Sequence, residues 1–205
     1  VTWAVFPHTL ERELTKSQVE IYLNDGTGRL KKDHQFFFDR EPPSRHMAYR
    51  IVVEDFNLDG IDDIFVGSMG LSKRNPDGSY TSLSEPNVLL LSDNGLMKDA
   101  SNIIDYKGET SFSHDASAGD VNGDGYPDIL AGRALFLSNL GQSFTNISEQ
   151  LPTDWRDWSK YQYTMSSLME DFNGDGLADI VMLWNDDEFN PNPPKPEIAL
   201  SNSLL

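Results

Sequence analysis

Asp171-Phe172-Asn173-Gly174-Asp175-Gly176-Leu177-Ala178-Asp179-Ile180-Val181 is the stretch of this chain that decides its fold. Its first nine residues follow the pattern Asp-x-Asn-x-Asp-Gly-x-x-Asp, which recurs at residues 55–63 and 120–128. A short run of branched apolar residues follows every copy, as is typical of a buried strand. Three copies in one chain indicate a repeated, oxygen-rich loop that leads into a strand.

The spacing of the loop predicts a calcium site. Oxygen atoms at alternate positions of a tight loop converge on one point, and Ca²⁺ takes six to eight oxygen ligands at about 2.3 to 2.6 Å. We expect Gly60, Gly125 and Gly176 to form the sharp turn, because the backbone there needs a left-handed conformation. The predicted ligands are Asp55, Asn57, Asp59, the carbonyl of Ile61 and Asp63; Asp120, Asn122, Asp124, the carbonyl of Tyr126 and Asp128; and Asp171, Asn173, Asp175, the carbonyl of Leu177 and Asp179.

Other loops that begin in this way fit less well. An EF-hand needs a glutamate at position twelve and flanking helices, but Val66, Ala131 and Met182 stand there. Dockerin-like loops fail for the same reason, and thrombospondin-type calcium repeats would bring cysteines, which this chain lacks. The remaining alternative is that the three loops are acidic turns without a metal.

Composition limits the class of partner. The 205 residues are 38% hydrophobic, which is enough for a buried core, and the net charge is −17. Such acidity argues against nucleic acid or an anionic membrane as partner, since both attract basic surfaces. Three Ca²⁺ ions would reduce −17 to −11, so part of the negative charge is a supply of ligands.

The calcium hypothesis also suggests a compartment. Extracellular modules bind Ca²⁺ at about 10⁻⁴ to 10⁻³ M, so several such loops fill only where calcium is plentiful. We therefore expect an extracellular or cell-surface protein, with the periplasm as an alternative. No apolar span long enough for membrane insertion is visible, and a start at Val1 rather than Met is consistent with removal of an upstream signal.

A second repeated element, a short strand, recurs once in each repeat. The first aspartates of the loops lie 65 and 51 residues apart, and such periods are typical of propellers or solenoids. Four similar strands follow at residues 20–24, 88–92, 134–138 and 197–201, and the first three lead into a turn that contains glycine. Each unit is thus predicted to be an all-β, four-stranded antiparallel meander in which the calcium loop joins the first two strands. This is a β-propeller blade.

Residues 171–181 and 119–130 resemble FG-GAP and VCBS-type repeats, the blades of integrin-α-like, calcium-binding β-propellers. The resemblance implies about three and a half blades of a ring of six or seven, completed by the rest of a parent protein; pairing of the open ends with another chain is the alternative. The predicted units are residues 1–40, a partial blade without its first strand and calcium loop; 41–110; 111–152; and 153–205, a blade that lacks its last strand.

The resemblance also implies that a protein or carbohydrate partner binds on the face opposite the calcium loops. Long second-to-third-strand connections at residues 68–86 and 184–196 belong to that face, as do the connections between blades at 39–45, 105–113 and 151–161. Within the last of these, Trp155, Trp158 and Tyr161 are candidate ligand contacts, with packing between blades as the competing interpretation.

Function is less constrained than fold. The sequence carries no nucleophile elbow, no His-Glu-x-x-His and no phosphate loop, so we expect no enzyme activity from this segment. His46 and His114 are interpreted as structural, and Asn146-Ile147-Ser148 matches a glycosylation sequon. The expected role is a binding or adhesion module with structural calcium. The alternatives are part of a propeller-bearing extracellular lyase or hydrolase and an architectural component of a surface fibre.

Overall fold

The computed structural model describes residues 16–38, 41–74, 80–83, 85–107, 112–156, 164–184 and 197–199. In these ranges the regular structure consists of β-strands and three 3-10 turns, Ser101–Ile103, Ser148–Gln150 and Thr153–Arg156, with no α-helix. The chain therefore has the predicted all-β architecture of propeller blades. Four successive units follow, which we name blades A to D.

Blade A is represented by one hairpin. Its strands are β2, Ile21–Asn24, and β3, Leu30–Asp33, which pair in antiparallel register. Two short flanking strands, β1 at Ser17–Gln18 and β4 at Ser44–Arg45, pair with each other. The hairpin corresponds to the third and fourth strands of the predicted partial blade, while residues 1–15 of that unit lie outside the described residues.

Blade B is a four-stranded antiparallel meander with an insertion. Its strands are β5, Ala48–Glu54; β6, Asp63–Ser68; β9, Val88–Asp93; and β10, Leu96–Asp99, paired in the order β10-β9-β6-β5. The insertion forms its own hairpin from β7, Leu71–Arg74, and β8, Tyr80–Leu83. The sequence predicted a long loop at this place and did not predict the hairpin.

Blades C and D repeat the meander. Blade C contains β12, Ala116–Gly119; β13, Asp128–Ala131; β14, Ala134–Ser138; and β15, Phe144–Asn146. Blade D contains β16, Thr164–Glu170; β17, Asp179–Trp184; and β18, Glu197–Ala199. In both blades the nine-residue loop joins the first strand to the second, as predicted.

Short segments of one unit also extend the sheet of the next blade, which the sequence did not predict. Strand β11, Ile104–Asp105, follows blade B in sequence but pairs in parallel with β15 at the outer edge of blade C. Phe37 makes the same kind of parallel bridge to Met97 in blade B. The sheet of blade C therefore begins before residue 111, the boundary predicted from the repeat.

The hydrophobic cores lie between blades. Phe56 and Phe65 of blade B pack in one cluster with Ile129, Phe136 and Phe144 of blade C. A second cluster joins blades C and D, and its members include Val121, Leu130, Leu135, Met169, Ile180 and Met182. Since burying each such side chain contributes about 1.5 to 3 kcal/mol, contact between neighbouring blades is a main source of stability.

The first strands of blades B, C and D lie next to one another, with β12 between β5 and β16. Asp115, which is 4% exposed, connects all three. Its carboxylate lies 3.3 Å from Arg50 Nε of blade B and accepts a hydrogen bond from Ser167 Oγ of blade D at 2.8 Å. Because the carboxylate is hydrogen-bonded and faces a cation, its burial is compensated.

Candidate metal centres

The three nine-residue loops share one backbone conformation. The glycine at position six has φ +88° in every loop, as the sequence predicted for Gly60, Gly125 and Gly176. Each of these glycines donates its backbone N–H to Oδ2 of the first aspartate of its own loop, at 2.8, 2.7 and 2.9 Å in chain order. This hydrogen bond closes the loop and orients the first carboxylate.

The side chains at positions three and five are held in the same way. Oδ1 of Asn57, Asn122 and Asn173 accepts the backbone N–H two residues later, at 3.0, 3.1 and 2.8 Å. Oδ1 of Asp59, Asp124 and Asp175 accepts the N–H at position seven, at 2.9 Å in each loop. Alternate oxygen side chains are thus fixed by the backbone of their own loop.

The ninth aspartate has a structural role that the sequence did not reveal. Asp63 is fully buried and accepts N–H groups from Phe56, at 2.9 Å, and Ser92, at 2.7 Å. Asp128 is held identically by Val121, at 2.9 Å, and Ser138, at 2.7 Å. The carboxylate therefore ties the start of the loop to the third strand. The serine that ends the predicted segments 88–92 and 134–138, Ser92 and Ser138, was the available signal.

Like charges meet in these loops. Burial raises the pKa of Asp128 to about 7; the N–H groups of Ser138 and Val121 oppose the shift, while Asp124 and Asp120 add to it. Burial likewise raises the pKa of Asp63, with a further contribution from Asp59. The carboxylates of one loop are thus close enough to repel one another, and a cation would relieve this repulsion.

The donor set of the loops fits a hard cation. The predicted ligand atoms are carboxylate, amide and carbonyl oxygens, which suit Ca²⁺ rather than a metal that prefers thiolate or imidazole. Across the described ranges, no three His, Cys, Asp or Glu side chains are gathered in a group that could hold a metal ion. The three aspartates predicted for each loop therefore do not form a closed ligand group in this structure, and the calcium sites stay a prediction.

The proposed aromatic ligand site needs a correction. Trp155 is 2% exposed, and its ring packs edge-to-face on Trp184 of blade D with 6.0 Å between centroids. It belongs to the core between blades C and D, so it is a packing residue rather than a surface contact. The other two candidates, Trp158 and Tyr161, lie outside the described residues.

The histidines and the sequon are also accounted for by packing. His46 Nδ1 lies 3.0 Å from Glu85 Oε1. His114 stacks on Tyr49 with 5.7 Å between ring centroids, and burial lowers its pKa. Asn146 of the sequon is 2% exposed and accepts the backbone N–H of Ser148 at 2.9 Å. Its amide is thus buried in the folded protein.

The sheets have two distinct ends. Each first strand runs into its nine-residue loop, so Tyr49 and His114, near the starts of β5 and β12, lie toward the opposite end. The connection between β13 and β14 at this end is a tight turn, where Gly132 has φ +61°. Arg133 lies beside it, with its guanidinium carbon 5.3 Å from the centre of the Trp184 ring. The same connection carries a hairpin in blade B, so its length varies between blades.

Comparison with known families agrees with this architecture. Residues 112–144, which span the first strand, the loop and the next two strands of blade C, match the family model of the FG-GAP repeat. Such repeats build propeller-like modules and typically occur in extracellular proteins. Within the described part of the chain, the structure contains no helix that is long and apolar enough to cross a membrane.

Proposed function

Because this chain contains an FG-GAP repeat set in β-propeller blades, we propose that it is a calcium-stabilised binding or adhesion module of an exported or cell-surface protein. Its partner is a protein or a carbohydrate bound on the face opposite the loops. The observation that carries the proposal is the threefold repetition of one loop, in which backbone N–H groups hold an oxygen of the first aspartate, of the asparagine and of the second aspartate.

Calcium would act structurally in these loops. Bound in a loop, Ca²⁺ supplies positive charge among carboxylates that otherwise repel one another. The first aspartate is already oriented by the glycine N–H, and the ninth is anchored to the third strand in blades B and C. Filling a loop would therefore stabilise the junction of three strands rather than perform chemistry.

The opposite face is the better candidate for recognition. Its second-to-third-strand connection ranges from the tight turn at Gly132 to the hairpin of β7 and β8. Surface connections that vary in length on a constant scaffold are typical of binding loops. The parent propeller would supply the remaining blades of the ring.

Thermal melting with CaCl₂, MgCl₂ or EGTA tests the structural role. At 10 to 100 times Kd, each occupied loop should stabilise the fold by about 1.4 to 2.7 kcal/mol, so the Tm should rise by several degrees in calcium. The increase should be lost in the triple variant Asp59→Ala, Asp124→Ala, Asp175→Ala. Asp62→Ala is the matched control, because Asp62 is an exposed acidic residue of a loop but not a predicted ligand.

Equal melting temperatures in calcium and EGTA would contradict the metal part of the proposal. For the binding part, a glycan array and light scattering over a range of protein concentrations separate a lectin from a module that binds copies of itself. Weakened glycan binding on lengthening the Gly132 turn would support the opposite face, and an unchanged profile would argue against it.

A further inference from the structure

Two of the three loops are joined directly by their backbones. The N–H of Ala178, in the 171–179 loop, donates a hydrogen bond of 2.7 Å to the carbonyl of Asp120, the first residue of the 120–128 loop. Ala178 belongs to blade D and Asp120 to blade C. The contact therefore crosses the boundary between blades at the calcium-loop end of the sheets.

This hydrogen bond is part of a longer series of peptide groups and hydrogen bonds that runs from the carbonyl of Leu177 to the carboxylate of Asp128. We call this series the relay. A peptide group is planar, so the N–H of Ala178 and the carbonyl of Leu177, a predicted ligand, share one rigid unit. The next unit contains the carbonyl of Asp120 and the N–H of Val121, which donates to Asp128 Oδ2 at 2.9 Å. Two rigid peptide units thus connect a predicted ligand of one loop to a predicted ligand of the other, and hydrogen bonds in such chains polarise one another.

Close packing reinforces the relay. A Cβ atom on Gly123 would lie 2.9 Å from Leu177 Cδ2, and one on Gly119 would lie 2.8 Å from the Cβ atom of Ala178. The 171–179 loop therefore rests directly on glycine backbone in and beside the 120–128 loop. A displacement of either loop would therefore displace atoms of the other.

The 55–63 loop lacks this connection. Its own half of the relay is present, because Phe56 donates its N–H to Asp63 Oδ2 at 2.9 Å. The residue of the 120–128 loop that corresponds to Ala178 is Pro127, however, and proline has no N–H to donate. The 55–63 loop packs instead against the β14–β15 turn, where a Cβ atom on Gly141 would lie 2.8 Å from Asn57 Cα.

We propose that the 120–128 and 171–179 loops bind calcium with positive cooperativity through the Ala178–Asp120 hydrogen bond, while the 55–63 loop binds independently. The inference rests on the proposed calcium function and concerns how the three loops are coupled. Binding in one loop fixes the peptide units of the relay, so the second loop is already ordered when its own ion arrives.

Calcium titration followed by NMR resolves the loops individually. The amide resonances of Gly60, Gly125 and Gly176 provide one matched reporter per loop, because each N–H bonds to the first aspartate of its own loop. Asp175→Ala should lower the calcium affinity reported by Gly125 by about fivefold or more, the range of ordinary allosteric coupling. Asp59→Ala should leave it unchanged. By linkage, Asp124→Ala should weaken the Gly176 response by the same factor.

A second pair of variants tests the hydrogen bond itself. Ala178→Pro removes the N–H donor, and the loop conformation accepts proline at the corresponding position of the 120–128 loop, Pro127. Ala178→Gly keeps the N–H donor and is the matched control. The proline variant should still bind three ions, but the Gly125 and Gly176 titrations should become independent. The glycine variant should remain cooperative.

The outcomes separate this inference from the proposed function. If Asp175→Ala and Asp59→Ala affect Gly125 equally, or if Ala178→Pro stays cooperative, the coupling is overturned although the calcium function stands. If none of the three glycine resonances responds to calcium, the calcium function is overturned, and the coupling with it.

Discussion

The same position in two loops has very different surroundings. Phe56 and Phe172 each follow the first aspartate of a nine-residue loop, yet Phe56 is fully buried and Phe172 is 49% exposed. The Phe56 ring packs edge-to-face on Phe144 of the next blade, with 6.0 Å between centroids. In the intermediate loop, Val121 is likewise covered by blade D. The comparison shows that the apolar side chain after the first aspartate is buried where a neighbouring blade packs on it.

The largest difference in stability is expected when each of the two rings is removed in a separate variant. Phe56→Ala should lower the free energy of unfolding by about 3 to 5 kcal/mol, because it leaves a cavity between blades B and C. Phe172→Ala should cost about 0.5 kcal/mol or less, as is usual for an exposed site. Urea denaturation in the presence of calcium measures both values. Similar losses for the two variants would mean that the loop itself, rather than the next blade, needs the ring.

The turns that face the loops offer a second matched pair. Gly141 and Gly95 occupy the third-to-fourth-strand turns of blades C and B, with φ +70° and +79°. A Cβ atom on Gly141 would lie 2.9 Å from the carbonyl oxygen of Phe56, whereas Gly95 has open space.

Gly95→Ala should therefore cost about 1 to 2 kcal/mol from backbone strain alone. Gly141→Ala should cost about 1 to 3 kcal/mol more, because it also pushes the loop away from blade C. Equal melting-temperature shifts for the two variants would show that the loop can move aside at little cost.

A smaller effect concerns the fourth position of the loops. Leu58 has φ +56°, where the other two loops place Gly123 and Gly174. A left-handed conformation costs a non-glycine residue about 1 to 2 kcal/mol, partly offset by the greater freedom of glycine in the unfolded chain. Leu58→Gly should thus stabilise the protein by about 0.5 kcal/mol, while Leu58→Ala, which keeps the strain, should not. Loss of stability in the glycine variant would instead assign a packing role to this half-exposed side chain.

Much of the scaffold could be predicted because its signals are local. The left-handed glycines, the strands after the loops and the repeated third strands all follow from short patterns of polar and apolar residues. Strand β14, for instance, coincides with the predicted residues 134–138. The all-β propeller architecture follows from the regular repetition of these signals.

What could not be predicted depends on distant partners. Strand β11 is two residues long and is defined by its pairing with β15, about forty residues later, so no local pattern marks it. The sequence left Trp155 open between a ligand contact and packing between blades, and only the contact with Trp184 decides for packing. Pro127 and Ala178 occupy equivalent positions in similar loops, and their difference gains meaning only when Asp120 is seen beside Ala178.

The parallel pairing of β11 with β15 has a practical consequence for dissecting this protein. A fragment cut where the repeat appears to end would carry Ile104 and Asp105 away with blade B and leave β15 with bare peptide groups along its outer rim. Such a rim invites pairing with another chain. A fragment that contains blade C should therefore begin upstream of Ile104, so that β11 stays paired with β15.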